Sequence, residues 1–469
     1  LQIDTNEKGN CMKKVTWLLI ALLVLTWGCQ STTNPIPTST PPPTPLPPTE
    51  AATATTVPTA TLPPTDMPEP SATPFVSGEW RITGTDVPAL ASFDSTLHSF
   101  MEKNGITSGA LAVIYQGRLI MAHGYTLDND QSYTIQPDSL FRIASLSKSI
   151  TATAVLKMIQ DGQLSLDTRI TDILTFTPMT GQSVDPRLSE VTVADLLYHQ
   201  GGWDIEQLGY DPMFHDIEVS RALGVSLPVS QANIITYMSG VPLSFDPGTK
   251  YAYSNFGYML LGQIIETVSK QSYEAYVKQN VLESLGMNHT QLGKTLLENR
   301  MPGEVKYRSD FKGSTVFNAS GMSVFLPYGG WNLENMAAHG GWVSTVVDMA
   351  RFEASFDQPG NNPVLTKDSI KLMFKAPPGG GGEHYYAMGW DIVNVGGGAI
   401  NTWHTGSLDG TCSIMVRRYD GIDWIAIFNE RDSKSDPAGD GYWEIDGLLH
   451  DAANAVQSWP DHDLFQQIP

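Results

Sequence analysis

The apolar positions of the chain change period several times, and each change marks an element. Leu90, Phe93, Leu97 and Met101 recur at helical spacing, which predicts a helix over about 88–103 with one buried face. Apolar runs at 109–115 and 118–124 flank Gln116-Gly117 and predict a β-hairpin. From Leu146 the helical period returns through Ile150, Ala154, Val155, Met158 and Ile159 and stops at Gly162, a suitable C-cap. Short helices are predicted at 193–198 and 231–238, and longer ones at 256–268 and 273–285. Another helix is expected to begin at Gly340-Gly-Trp-Val-Ser-Thr345 and to run to Phe352. Strand-like runs reappear at 386–393, 412–417 and 424–428, before a closing helix over about 442–456. Strands at both ends with helices between them predict an α+β fold, in which the two ends of the domain build one antiparallel sheet flanked by helices and the middle forms an inserted helical lobe.

Three stretches escape these periods. The Gly- and aromatic-rich segment from His199 to His215 reads as a loop, 297–338 is irregular, and Pro377 to Gly382 is a loop of unusual backbone freedom. Between Ser31 and Phe75, Pro and Thr supply 27 of 45 residues, with no Lys or Arg. So little apolar surface cannot offset the entropy of ordering, and the segment is expected to be a disordered, semi-extended stalk. At about 3 Å per residue it would reach on the order of 100 Å. Before it, Met12-Lys13-Lys14 and the uncharged run Val15 to Trp27 read as an export signal, too short for a comfortable transmembrane helix. Gly28-Cys29 with polar Gln30-Ser31 after it resembles the processing site of a bacterial lipoprotein, so Cys29 is the expected lipid anchor. Residues 1–11 precede the expected initiator, Met12. The expected organisation is 1–30 signal and anchor, 31–75 stalk and 76–469 one large domain.

Charge and cysteine content narrow the chemistry. The 469 residues carry a formal charge of −21 with no basic patch, which excludes nucleic acid and an anionic membrane surface as partners. Of Cys11, Cys29 and Cys412 only the last lies in the globular part, so neither a disulfide within that part nor structural zinc is expected, and Cys412 reads as a buried core residue. His199 and His215 have no metal-ligand spacing, and no metal or cofactor is expected.

The candidate chemistry begins at Ser145 and Lys148, three residues apart and therefore on one face of the predicted helix start. Backbone N–H groups at such a terminus suit a developing oxyanion, so the pair suggests acyl transfer through Ser145. Ser309-Asp-Phe-Lys312 has the same spacing but runs into Gly313 with no apolar helix behind it, which marks it as a decoy. Two further polar motifs follow in order, Tyr253-Ser-Asn255 and His404-Thr405-Gly406-Ser407. The pattern Gly-x-Ser-x-Gly of α/β-hydrolases is absent.

The ordered set SxxK, YxN and HTG, in Phe-Arg-Ile-Ala-Ser-Leu-Ser-Lys, Pro-Gly-Thr-Lys-Tyr-Ala-Tyr-Ser-Asn and Trp-His-Thr-Gly-Ser, closely resembles the serine β-lactamase and penicillin-binding protein superfamily. Within it the likeness is to the branch of class C β-lactamases, D-alanyl-D-alanine carboxypeptidases and β-lactamase-like esterases, over about 85–457. The resemblance implies a β-lactamase/transpeptidase-like fold with Ser145 as nucleophile and Lys148 or Tyr253 as its base, the choice between them left open. It further implies that Asn255 faces substrate and Lys148, and that the N–H groups of Ser145 and Ser407 form an oxyanion hole, with the third motif on an edge strand. His404 departs from the lysine usual in β-lactamases of this branch, which weakens the standing positive charge and ranks esterase or peptidase activity above efficient β-lactam hydrolysis. If His404 acts as that lysine does, turnover should change around its titration. The expected partner is a small-molecule or short-peptide substrate, with specificity carried by 203–215, 328–331 and 379–386. The rival expectation is a non-catalytic surface receptor that binds peptidoglycan fragments.

Overall fold

A computed structural model of the protein describes residues 79–127, 134–431 and 441–468. The expected signal, the Cys29 anchor and the 31–75 stalk lie outside the described residues.

Eight strands form one sheet: β1 (Trp80–Thr83), β2 (Ser108–Tyr115), β3 (Arg118–Leu127), β4 (His384–Tyr386), β5 (Asp391–Gly396), β6 (Ala399–Leu408), β7 (Thr411–Arg417) and β8 (Ile422–Phe428). Their order is β1-β3-β2-β8-β7-β6-β5-β4, and every pairing is antiparallel. The early hairpin and the late strands join through β2 and β8, with Tyr115 opposite Ile422 and Gly109 opposite Phe428. The two ends of the domain thus build one sheet, as the strand pattern predicts.

The central strands are apolar on both faces because both are covered. Leu111, Val113, Cys412, Ile414, Trp424 and Phe428 pack toward helix α1 (Ala91–Asn104) and the closing helix Gly441–Ala455. Ala110, Ala112, Ile114, Met415, Ile425 and Ile427 face the helical lobe. Such two-sided burial erases the alternation expected of a half-exposed strand. At about 25 cal/mol per Å² it is the main favourable term holding the layers together.

The lobe centres on α2 (Ser147–Gln160), which is buried almost all round rather than along one stripe. Its small polar residues make this possible by bonding to backbone carbonyls: Ser149 Oγ donates to Gly389 O (2.7 Å), Thr151 Oγ1 to Ala338 O (2.5 Å) and Thr153 Oγ1 to Ser149 O (2.8 Å). Ser145 is not in α2 itself but in a 3-10 turn, Ala144–Leu146, that leads into it.

Several other expectations shift. Gly340 to Thr345 does not start the helix. Trp342–Ser344 is a short strand pairing with Phe141–Arg142 and Gln291–Leu292, and Thr345 then caps the helix Val346–Ala354. The apolar run 386–393 is two strands, β4 and β5, broken by a turn at Gly389 (φ +81°), where a Cβ would lie 3.0 Å from Lys148 O and 2.7 Å from Ala152 Cβ. His199 to Asp204 is buried, not a surface loop. Lys312, in the decoy pair, is exposed on a small hairpin, Lys312–Ser314 with Ser323–Phe325.

Candidate active site

The turn that carries Ser145 is pinned to the sheet from below. Thr411 Oγ1 donates to Arg142 O (2.8 Å) and Ser413 Oγ to Ile143 O (2.9 Å), both from β7. Arg142, buried two residues before the turn, donates to Pro327 O and Lys294 O (both 2.8 Å), and its guanidinium lies 4.2 Å from the Tyr307 ring centroid. Ala144 then takes φ +46°, a left-handed conformation that costs a non-glycine residue about 1 kcal/mol or more and that only a well-braced site retains.

Lys148, one turn on, is fully buried, and its Nζ has three polar neighbours within hydrogen-bond distance: Ser145 Oγ at 3.0 Å, Asn255 Oδ1 at 2.8 Å and His339 O at 2.8 Å. Asn255 opens the helix α3 (Asn255–Ser269). Its amide is oriented by Asp211, whose carboxylate accepts from Asn255 Nδ2 at 2.6 Å and from the Met213 N–H at 2.9 Å. Because the amide nitrogen faces Asp211, the oxygen must face Lys148. Burial pushes the Lys148 ammonium well below its ordinary range, against the pull of the Asp211 charge.

Tyr253 is half-buried in the cleft wall, with its phenol next to Ser145. Burial raises its phenol well above the ordinary value, and the neighbouring Ser145 only partly opposes this. Its ring lies 4.6 Å from Lys148 Nζ and 4.4 Å from the His199 ring. His199 holds the backbone here: its Nδ1 accepts from the Ser254 N–H (3.1 Å) and its carbonyl from the Ala252 N–H (2.9 Å).

The third motif lies on β6, which is an interior strand rather than an edge. Pairing with β5 ends at Trp403 opposite Asp391, however, so residues 404–408 pair with β7 alone and leave one side open to the site. Gly406 passes so near the Ser145 turn that a Cβ there would lie 2.3 Å from both Ile143 O and Ser413 Oγ, and 3.1 Å from Ser145 N. His404 is buried. Its Nδ1 lies 2.6 Å from Thr405 O, which can only accept, so the proton is on Nδ1, and Nε2 accepts from the Tyr386 hydroxyl at 3.1 Å. Burial and the nearby Lys148 lower its pKa to about 3. The two hydrogen bonds and the lowered pKa both favour a neutral ring near pH 7, against the expected titration there.

These residues line one cleft of about 460 Å³, together with Phe214, Tyr251, His384 and Asp391. Ser145, Tyr253, Asn255, His404, Thr405 and Ser407 all reach it, with Lys148 just beneath. Of the three expected specificity segments, 203–215 contributes Phe214 and 379–386 contributes His384. The third contributes none: Trp331 is buried, and its ring, like that of Tyr328, packs near Arg142. His199 and the His339 carbonyl were not legible as site parts, and Asp211 falls in the expected specificity segment 203–215 without being singled out, because nothing in their local sequence distinguishes them from loop residues.

Comparison with known proteins agrees with this geometry. The family model described as "Beta-lactamase" matches residues 93–447. "Protein flp" of Staphylococcus aureus is 27% identical over 204 residues, a match that covers 43% of this chain and 38% of that protein, so the chain spans well under half of that relative. Among solved structures, the octameric penicillin-binding protein homologue from Pyrococcus abyssi is 25% identical (TM-score 0.57, covering 77% of this chain and 78% of that one). The D-amino acid amidase from Ochrobactrum anthropi SV3 is 23% identical (TM-score 0.59, covering 79% and 100%) and shares the fold. With its family model spanning most of the described residues and a buried lysine on its candidate serine, the chain belongs to the beta-lactamase family of serine hydrolases.

Proposed function

We propose that the protein hydrolyses an ester or amide through an acyl-enzyme on Ser145, with Lys148 as general base and Tyr253 as a neutral proton relay. One observation carries this reading: two of the three partners of Lys148, Asn255 Oδ1 and His339 O, can only accept. A neutral amine has two N–H groups and one lone pair. With both N–H groups held by these acceptors, the lone pair is directed at Ser145 Oγ, 3.0 Å away. The lowered pKa of Lys148 supports a neutral amine, and the raised pKa of Tyr253 argues against a resting phenolate.

In the first half-reaction the Ser145 proton passes to Lys148 as Oγ attacks the carbonyl carbon. The N–H groups of Ser145 and Ser407 stabilise the oxyanion. The bond to the leaving group then breaks, Tyr253 gives that group its proton, and the Lys148 ammonium beside the ring restores it. Water repeats the sequence in reverse, releasing the acid and free Ser145. Asn255 and Thr405 position the substrate.

A neutral His404 supplies no standing charge for a substrate carboxylate, which supports an ester or amide over a β-lactam or a peptide with a free C-terminus. A fold neighbour is a D-amino acid amidase, so D-amino acid amides belong in the substrate screen. Turnover of p-nitrophenyl esters, D-amino acid amides, D-alanyl-D-alanine peptides and nitrocefin should be measured side by side. Esters or amides should lead by at least about tenfold in kcat/KM; efficient nitrocefin hydrolysis with inert esters would refute the ranking. We also propose that the domain works outside the cell, tethered through Cys29 and the Pro/Thr stalk, a reading supported by residues 12–75 alone.

A further inference from the structure

The cleft is chemically lopsided. Among the described residues that line it, Asp391 is the only carboxylate. It stands at the start of β5, opposite Trp403 on β6. Trp403 precedes Gly406 by three positions, and Gly406 touches the Ser145 turn, so Asp391 sits roughly 10 Å along the strand from the nucleophile. Its side chain is 20% exposed, and the cation nearest to it is His384, whose Nε2 lies 3.4 Å from Oδ1 and which forms an ion pair only when protonated. Burial raises the Asp391 carboxyl to about 7, and among the described residues no lysine or arginine pairs with it.

The walls around it are aromatic. Trp403 and the half-exposed Tyr251 both line the cleft here. Arg431, the other strongly charged lining residue, lies with Leu408 toward the opposite end of the strand and is drawn to Asp409 at 3.5 Å. An acid flanked by aromatic faces is the arrangement that recognises an organic cation, through charge pairing and the ring quadrupoles together.

The side of the substrate that meets Asp391 follows from the proton path. Tyr253 returns the proton to the departing group, so that group lies on the Tyr253 side of Ser145. Asp391 lies on the same side: it pairs across the sheet with Tyr386, whose ring centroid is 5.8 Å from that of Tyr251 and 6.4 Å from that of Tyr253. We propose that Asp391, with Trp403 and Tyr251, forms a cation subsite that selects substrates whose leaving group carries an ammonium. The inference rests on the hydrolase reading above and sharpens it: a departing group bearing a carboxylate meets an acid and a neutral histidine, and is disfavoured.

The test uses three acetyl thioesters that differ only in the thiol released: thiocholine, its neutral carbon isostere and mercaptopropionate, with the free thiol read colorimetrically. The wild type should favour the thiocholine ester over the isostere by about tenfold in kcat/KM and should turn over the anionic thioester worst. The cation-to-neutral ratio should fall toward one in Asp391→Asn and below one in Asp391→Lys. A ratio taken within one preparation does not depend on how much of it is folded. The wild-type ratio needs no variant, and a value at or below one overturns the subsite, as does a ratio that neither substitution moves. Ser145 labelled by a fluorophosphonate with no cation preference removes the subsite alone, whereas an unlabelled Ser145 removes the hydrolase reading beneath it.

Discussion

Replacing Asp211 by asparagine removes a charge at nearly constant shape, with the loss of one of the two hydrogen bonds its carboxylate accepts. The carboxylate is tied to Asn255 Nδ2 at 2.6 Å, and Asn255 Oδ1 to Lys148 Nζ at 2.8 Å. Two hydrogen bonds and one amide therefore separate the two charges, roughly 6–7 Å. Coulomb's law at an effective dielectric of about 20 gives about 2.5 kcal/mol for the pair, which is about two pH units. The sign is fixed by the charges. An ionised Asp211 favours the Lys148 ammonium and raises a pKa that burial has lowered, so its removal lets the pKa fall further. If Lys148 must be neutral to act as base, kcat/KM is lost as pH falls through that pKa. Asp211→Asn should move the acid limb of the profile to lower pH by as much as about two units, and by less if burial keeps part of Asp211 protonated. The assay is p-nitrophenyl ester hydrolysis at constant ionic strength from about pH 4 to about pH 10. An acid limb that stays in place, or moves to higher pH, would refute Lys148 as the titrating base.

Three further outcomes follow from the geometry. Gly406→Ala puts a methyl into Ile143 O and Ser413 Oγ, so the strand must move by about 1 Å relative to the Ser145 turn; kcat should drop on the order of a hundredfold with a stability loss of about 1–3 kcal/mol, and near-normal kcat would show that the approach is not needed. His404→Asn should lower kcat/KM without changing the shape of the profile between about pH 5 and about pH 8, because His404 ionises only near pH 3; a limb that vanishes in the variant would contradict its neutrality. Cys29→Ser in the full chain expressed in bacteria should abolish radiolabelled palmitate incorporation and release the protein from the membrane fraction, and unchanged incorporation would remove the proposed anchor.

The three motifs and the antiparallel sheet were legible because each is local or periodic. Leu90, Phe93, Leu97 and Met101 announce α1 by spacing alone, and Gln116-Gly117 marks the β2–β3 turn. Long-range packing decided what was not legible. Ser and Thr in α2 look like exposed positions until Gly389 and Ala338 supply carbonyls for them. Trp342–Ser344 has strand character because Phe141–Arg142 and Gln291–Leu292 lie on either side of it. His404 reads as a group that titrates near neutrality until burial beside Lys148 is seen to suppress its charge. Asp211 carries no motif at all, and its role exists only through the Asn255 amide it orients.

Everything rests on Ser145 being a nucleophile activated by its neighbours. Intact-mass spectrometry of the full chain after exposure to a fluorophosphonate tests this most directly, with the adduct mapped by peptide sequencing. The account predicts one adduct per chain, on Ser145, absent from Ser145→Ala and at least about a hundredfold slower in Lys148→Ala. An unmodified wild-type protein, or equal labelling rates in wild type and Lys148→Ala, would contradict it.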